Sequence, residues 1–143
     1  MTPDPHDVAA ALRFGIGLLV RRLRQVRDDT ELTLPETSAL SRLDRGGPAT
    51  SSALAKQEQI SPQSMGATLG GLEARGLVER RPDPDDGRRV VLSVTAEGVA
   101  VLGARRAART ESLAAVLAEG FTADELQQLL DAAPLVERLA HRL

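Results

Sequence analysis

Two pairs of arginines, Arg80–Arg81 and Arg88–Arg89, flank a six-residue stretch made only of Pro, Asp and Gly. A guanidinium is a planar fork of donors that stays charged at physiological pH and pairs bidentately with phosphate oxygens. Held at the end of a stiff ribbon, it can enter a DNA minor groove or clamp a phosphate. After the second pair the chain alternates, with Val90, Leu92 and Val94 on one face and Arg89, Val91 and Ser93 on the other. That period of two, next to a cluster of turn formers, predicts a β-hairpin with strands over Leu77–Arg81 and Arg88–Val94. Taken alone, such a hairpin reads first as an ordinary solvated turn, so its meaning depends on what surrounds it.

Little else in the chain could do chemistry. The two histidines, His6 and His141, stand near opposite termini, and no Ser/His/Asp, Cys/His or metal-ligand spacing exists. A His6–His141 metal site would require the termini to meet; solvated histidines are the expectation, with no metal and no cofactor. Asp83, Asp85 and Asp86 are interrupted by proline and do not match a calcium loop, so they read as a turn. The absence of cysteine excludes disulfides, thiolate metal sites and thiol redox sensing. No enzyme is expected.

With 143 residues, 27% charged and 42% hydrophobic, the chain reads as one soluble globular domain with a real core. Two Phe and no Trp or Tyr leave Leu, Val and Ala to build the interior, which suits helices packed closely together. Met1–Asp7 is acidic and proline-containing, unlike a secretion signal. The longest apolar run, Phe14–Val20, stops at Arg21–Arg22 and is too short to span a bilayer. A cytoplasmic protein without a membrane partner is expected. The formal net charge of −2 gives no support to a nucleic-acid partner, so any basic surface has to be local. Seventeen of the eighteen basic residues are Arg, a bias that fits phosphate chemistry but that a GC-rich genome would also produce.

The elements that must hold the arginines are mostly helical. Residues 7–28 carry Val8, Leu12, Ile16, Leu19, Leu23 and Val26 at helical spacing, with Arg13, Arg21, Arg24 and Arg27 off the stripe. Gly15 and Gly17 weaken that helix by roughly 1 kcal/mol each and suggest close packing. Thr33-Leu-Pro-Glu36 predicts a capping box opening a helix to about Asp44, ended by Arg45-Gly-Gly-Pro48. Thr50 caps a short helix to about Gln59. Ser61-Pro62 then starts another, which buries Met65, Leu69 and Leu72 and stops at Gly76. Thr95 caps a long helix to Gly120. Thr122-Ala-Asp-Glu125 is a second capping box, starting a last helix that Pro134 breaks or kinks.

This order predicts a mainly α fold with a small β-hairpin, a winged helix-turn-helix core flanked by N- and C-terminal dimerisation helices. The first and last helices are apolar along more of their length than the central module can cover. A dimer interface is the favoured explanation, and folding back within one chain is the alternative. The expected organisation is a single domain over 1–143, with 7–28 and 96–143 as dimerisation helices and 33–95 as the DNA-binding region.

Three segments carry a family resemblance: Leu72-Glu-Ala-Arg-Gly-Leu-Val-Glu-Arg-Arg81, Asp86-Gly-Arg88 and Leu92-Ser-Val-Thr-Ala-Glu-Gly98. Over nearly its whole length the chain resembles a MarR-type transcriptional regulator. The resemblance implies that Arg88 enters the minor groove with Asp86 helping to hold it, and that the helix from Pro62 lies in the major groove. It further implies a homodimer joined by intertwined terminal helices; a two-fold dimer in turn demands a pseudo-palindromic double-stranded operator, and a homodimeric repressor is the expected function. Release by a small-molecule effector, often phenolic, bound near the junction of the dimer and DNA-binding regions is also implied. The missing cysteine excludes the peroxide-sensing mode found in part of the family.

The expected DNA-binding set is Ser61, Pro62, Gln63, Ser64 and Thr68 on the recognition helix and Arg80, Arg81, Asp86, Arg88 and Arg89 on the wing. Free N–H groups at the helix start suit a phosphate, and Gln63 suits an adenine edge. The chain departs from the family where larger polar or basic side chains are common and Gly66, Ala67, Gly70 and Gly71 stand instead. Either this smooth face seats the helix deeply and shape and the wing supply specificity, or direct readout is weak. Glu58-Gln59 occupies the place of an apolar residue and a Gly in the turn; Glu58 is expected to face solvent rather than bond within the turn. An effector pocket is expected where the first, second and fifth helices meet, with Arg13, Phe14, Gly15, Gly17 and Arg21 as weak candidates beside a packing role. The competing function is a winged-helix dimer that has lost DNA binding and serves as a protein-interaction module. The smooth face and acidic charge favour it, and Asp86-Gly-Arg88 opposes it.

Overall fold

Side-chain caps set where the helices begin. In the computed structural model, which describes residues 1–143, the elements are α1 (Pro5–Arg24), α2 (Leu34–Gly46), α3 (Ser51–Glu58), α4 (Pro62–Ala74), β1 (Val78–Pro82), β2 (Val90–Val94), α5 (Ala96–Gly120) and α6 (Ala123–Ala140). Thr50, Ser61 and Thr95 accept the N–H of Ala53, Ser64 and Gly98, each at 3.1 Å. At Thr122 the capping box is complete, because the Glu125 carboxylate also accepts the Thr122 N–H at 2.8 Å. At Thr33 it is half formed: the Glu36 carboxylate takes the Thr33 hydroxyl at 2.9 Å instead of the backbone N–H.

Two boundaries differ from expectation. Asp4 caps α1 through the His6 N–H at 2.8 Å, so the helix starts earlier than position 7. It also ends at Arg24, short of Asp28, and Asp28 turns to bind Thr30 and Arg105. Pro134 does not break α6, which runs on to Ala140.

The chain divides into two compact units, Met1–Ala108 and Arg109–Leu143. The first has a core of Leu40, Leu43, Leu54, Met65, Leu69, Leu72 and Leu92, all fully buried. β1 and β2 pair antiparallel from Val78 opposite Val94 to Pro82 opposite Val90. Ala49 adds a bridge on the other edge of β2, exchanging bonds with Leu92 at 3.1 and 2.8 Å. Val91, Leu92 and Ser93 are all buried, so the simple in–out alternation of this strand is lost. α1 and α6 bury no residue at all. Their apolar side chains, among them Phe14 at 71% and Leu130 at 68% exposure, stay uncovered within the chain.

The turn between α3 and α4 corrects an expectation. Glu58 does not face solvent: it accepts the Ser38 hydroxyl at 2.7 Å and pairs with the Arg42 guanidinium, tying α3 to α2. Gln59 takes the left-handed conformation that glycine would adopt more easily (φ 56°). Burial pushes the Glu58 carboxyl up, but the bonds from Ser38 and Arg42 and the charges of Arg42 and Arg45 outweigh it, leaving it below the ordinary carboxylate range. A carboxyl lowered on folding stabilises above its unfolded pKa, and the contribution fades as pH falls through the folded one. Glu58→Gln should therefore flatten the loss of thermal stability between neutral and acid pH. Identical pH profiles for the variant and the parent would refute that role.

Candidate nucleic-acid interface

At the start of α4, three hydroxyls organise one another. Ser61 Oγ donates to Ser64 Oγ at 2.9 Å while accepting the Ser64 N–H. Thr68 donates to the Ser64 carbonyl at 3.0 Å, so its proton is engaged and its lone pairs remain. Pro62, Gln63 and Ser64 are exposed, opposite the buried Met65, Leu69 and Leu72. Of the sequence-predicted residues, these five lie together on the first turns of α4.

The outward face beyond them is smooth. A Cβ added at Gly66 or Gly70 would meet no atom within 4 Å, and at Gly71 only the Glu36 carboxylate, from 3.9 Å. Internal packing therefore does not account for these three glycines. Together they cost the helix roughly 3 kcal/mol against alanine.

The wing is held by its own backbone. Beyond the last paired residues, the Asp83 N–H donates to the Arg89 carbonyl at 2.9 Å and the Arg89 N–H to the Asp86 carbonyl at 3.0 Å. The Asp83 carboxylate accepts the Asp85 N–H and the Asp86 carboxylate the Arg88 N–H, at 2.9 and 3.0 Å. The acidic residues thus close turns of the Asx type. Asp86 holds Arg88 through the backbone and leaves its guanidinium free.

The arginines differ in their surroundings. Arg80 pairs with Glu73 of α4 at 2.8 Å, Arg81 with Glu79, and Arg89 lies 3.9 Å from Asp83. Arg88 is exposed and its side chain forms no ion pair within the chain. Exposed ion pairs are worth roughly 0–1 kcal/mol, so the other three could exchange a carboxylate for a phosphate at small cost. The Arg80–Glu73 contact also ties the wing to α4.

A cavity of about 280 Å³ lies within the first unit, lined in part by Arg24, Arg27, Asp28, Leu32, Leu34 and Arg105. It is where α1, α2 and α5 come together, as the sequence led us to expect, but its residues are different ones. Arg13, Phe14, Gly15, Gly17 and Arg21 do not line it. Gly15 and Gly17 also have no atom within 4 Å of a Cβ, so close packing within the chain is not their reason either. Sequence reasoning missed Asp28 and Arg105, whose charged groups meet at 2.7 Å. The available signal was a charge at Arg105 in helical register with Val101 and Leu102.

Known proteins share this sequence and fold. A profile of the MarR family matches residues 32–90. The helix-turn-helix transcriptional regulator ML2140 of Mycobacterium leprae is 35% identical over 139 residues, covering 97% of this chain and 96% of its own. The transcriptional repressor NicR of Pseudomonas putida is 30% identical over 108 residues, covering 70% of this chain and 66% of NicR. A solved transcriptional regulator from Pseudomonas aeruginosa superposes with a TM-score of 0.75 at 34% identity, over 96% of this chain and 98% of that one.

Proposed function

Since this chain belongs to the MarR family of DNA-binding winged-helix transcriptional regulators, we propose that it is a homodimeric repressor of a pseudo-palindromic operator, released by a small-molecule effector. The observation that carries this reading is Arg88, exposed and unpaired at the tip of a wing whose backbone Asp86 holds. In a two-fold dimer, α4 from each subunit enters the major groove about one DNA turn apart and Arg88 flanks it in the minor groove. The uncovered apolar residues of α1 and α6 support a dimer, since surface of that kind ordinarily marks an interface. Repression is the activity named for NicR. For the effector, the cavity lined by Arg24, Arg27, Glu31, Leu32 and Leu34 offers both charges and apolar surface; Arg105 is already engaged by Asp28, which leaves Arg24 and Arg27 as the cationic groups for a small acid.

Selection of bound fragments from genomic DNA by the purified protein tests this function; failure to enrich any sequence would end it. With a selected fragment, Gly70→Ala separates a deep-seated α4 from weak readout. The added methyl fills open space in the free protein, so stability should rise by roughly 1 kcal/mol. If α4 seats deeply, affinity for DNA should nonetheless fall. An affinity equal to the parent's would mean that this face makes no close approach to the bases.

A further inference from the structure

Away from the DNA-facing surface, the first unit holds an unbroken run of polar contacts. Arg105 of α5 is 6% exposed, and its guanidinium meets the Asp28 carboxylate at 2.7 Å, with side-chain exposures of 8% and 5%. The other Asp28 oxygen accepts the Thr30 N–H at 2.9 Å and the Thr30 hydroxyl. Thr30 is itself buried, and its carbonyl accepts from Nη2 of Arg75 at 2.5 Å. Arg75 is the C-cap residue of α4. Contacts therefore run from α5, through the connection between α1 and α2, to the far end of the recognition helix.

A buried ion pair is weak grounds for stability, because desolvation offsets most of the attraction. Here Arg105 Nε is also left buried without an acceptor. The pair does lie where α4 needs help. Gly70 and Gly71 leave the C-terminal half of that helix with low intrinsic propensity. We propose that Arg75, Thr30, Asp28 and Arg105 form a brace that fixes the C-terminal end of α4 against α5. Asp28, Thr30 and Arg105 are thereby positioning residues, which act on DNA reading without touching DNA. That last step rests on α4 being the helix that reads DNA.

Asp28→Asn and Arg105→Met break a buried pair and could simply unfold the protein, so the decisive substitution is Arg75→Met, which removes only the outermost link. Arg75→Lys keeps a donor at the same end. Two measurements on the full-length protein are needed: hydrogen exchange of the amides from Gly70 to Gly76, and affinity for a selected operator fragment across a salt series. Arg75→Met should speed exchange of those amides and weaken binding, each about tenfold, the factor set by ~1.4 kcal/mol. The salt slope should not change, and Arg75→Lys should recover most of both losses. Unchanged exchange in Arg75→Met would overturn the brace, whatever happens to DNA binding. So would an affinity loss with a salt slope shallower by about 0.9 per arginine, the mark of a phosphate ligand. Faster exchange in a protein that binds no DNA would support the brace and instead sink the reading of α4 as the DNA-binding helix.

Discussion

Gly98→Ala is expected to be the most destabilising small substitution in the DNA-binding unit. A Cβ at this position would lie 2.3 Å from the Leu77 carbonyl oxygen, 2.7 Å from Val94 Cγ2 and 3.3 Å from Leu40 Cδ1. The first contact is to backbone, at the start of the hairpin, and cannot be relieved by a rotamer change. Overpacking of this kind costs ~1–3 kcal/mol and occasionally more, while alanine returns only about 1 kcal/mol of helix propensity. With a backbone atom as the obstacle the cost lies at the upper end, so we expect a net loss of roughly 1–2 kcal/mol, which for a chain of this size lowers the melting temperature by about 3–6 °C. Gly70→Ala in the same background is the control, since its Cβ meets nothing and should raise the melting temperature. A Gly98→Ala protein as stable as the parent would mean that α5 does not press on Leu77. Position 98 closes the Leu92-Ser-Val-Thr-Ala-Glu-Gly98 segment, and this contact gives the segment a physical reason: only glycine lets α5 begin against the hairpin that carries the wing.

Arg88→Ala is expected to have the largest effect on DNA binding while leaving the fold intact. The guanidinium is exposed and engages no carboxylate, so its removal disturbs nothing in the free protein. A hydrogen bond to a charged group is worth ~1.5–3 kcal/mol, and a dimer presents two such wings. The loss should reach about 100-fold in affinity, with a salt slope shallower by roughly two contacts' worth. Arg80→Ala and Arg81→Ala should cost less, because those guanidinium groups already hold Glu73 and Glu79 and must give them up to reach DNA. Equal losses at positions 80, 81 and 88 would show that the wing acts as diffuse charge, without a specific tip.

Much of the fold was legible because it rests on local rules. Thr50, Ser61, Thr95 and Thr122 each cap the helix that their side-chain chemistry announces, and Gly76 takes the left-handed conformation expected of a helix terminator (φ 72°). The apolar stripe of Met65, Leu69 and Leu72 is buried as its spacing requires. The exposed positions of the wing and of the start of α4 were also readable, since turn formers and N-caps place them. What escaped was set by partners far away in sequence. Asp28 leaves the end of α1 to meet Arg105, and Glu58 turns inward to Ser38 and Arg42. Val91 and Ser93 are buried on a strand that Ala49 also pairs with. No periodicity along α1, α3 or β2 encodes those neighbours. Charged residues on otherwise apolar faces mark where such contacts form, but not with whom.

Whether the arginine wing and α4 bind DNA is read from the salt dependence of binding to a selected duplex by the unmodified protein. Its formal charge of −2 would by itself repel DNA, so affinity has to come from a local set of arginines and the exposed side chains at the start of α4. Log affinity should fall linearly with log salt, with a slope near −0.9 for each phosphate neutralised. A flat response, or no retention on DNA at low salt, would contradict DNA binding by these groups and favour a winged-helix dimer that binds protein.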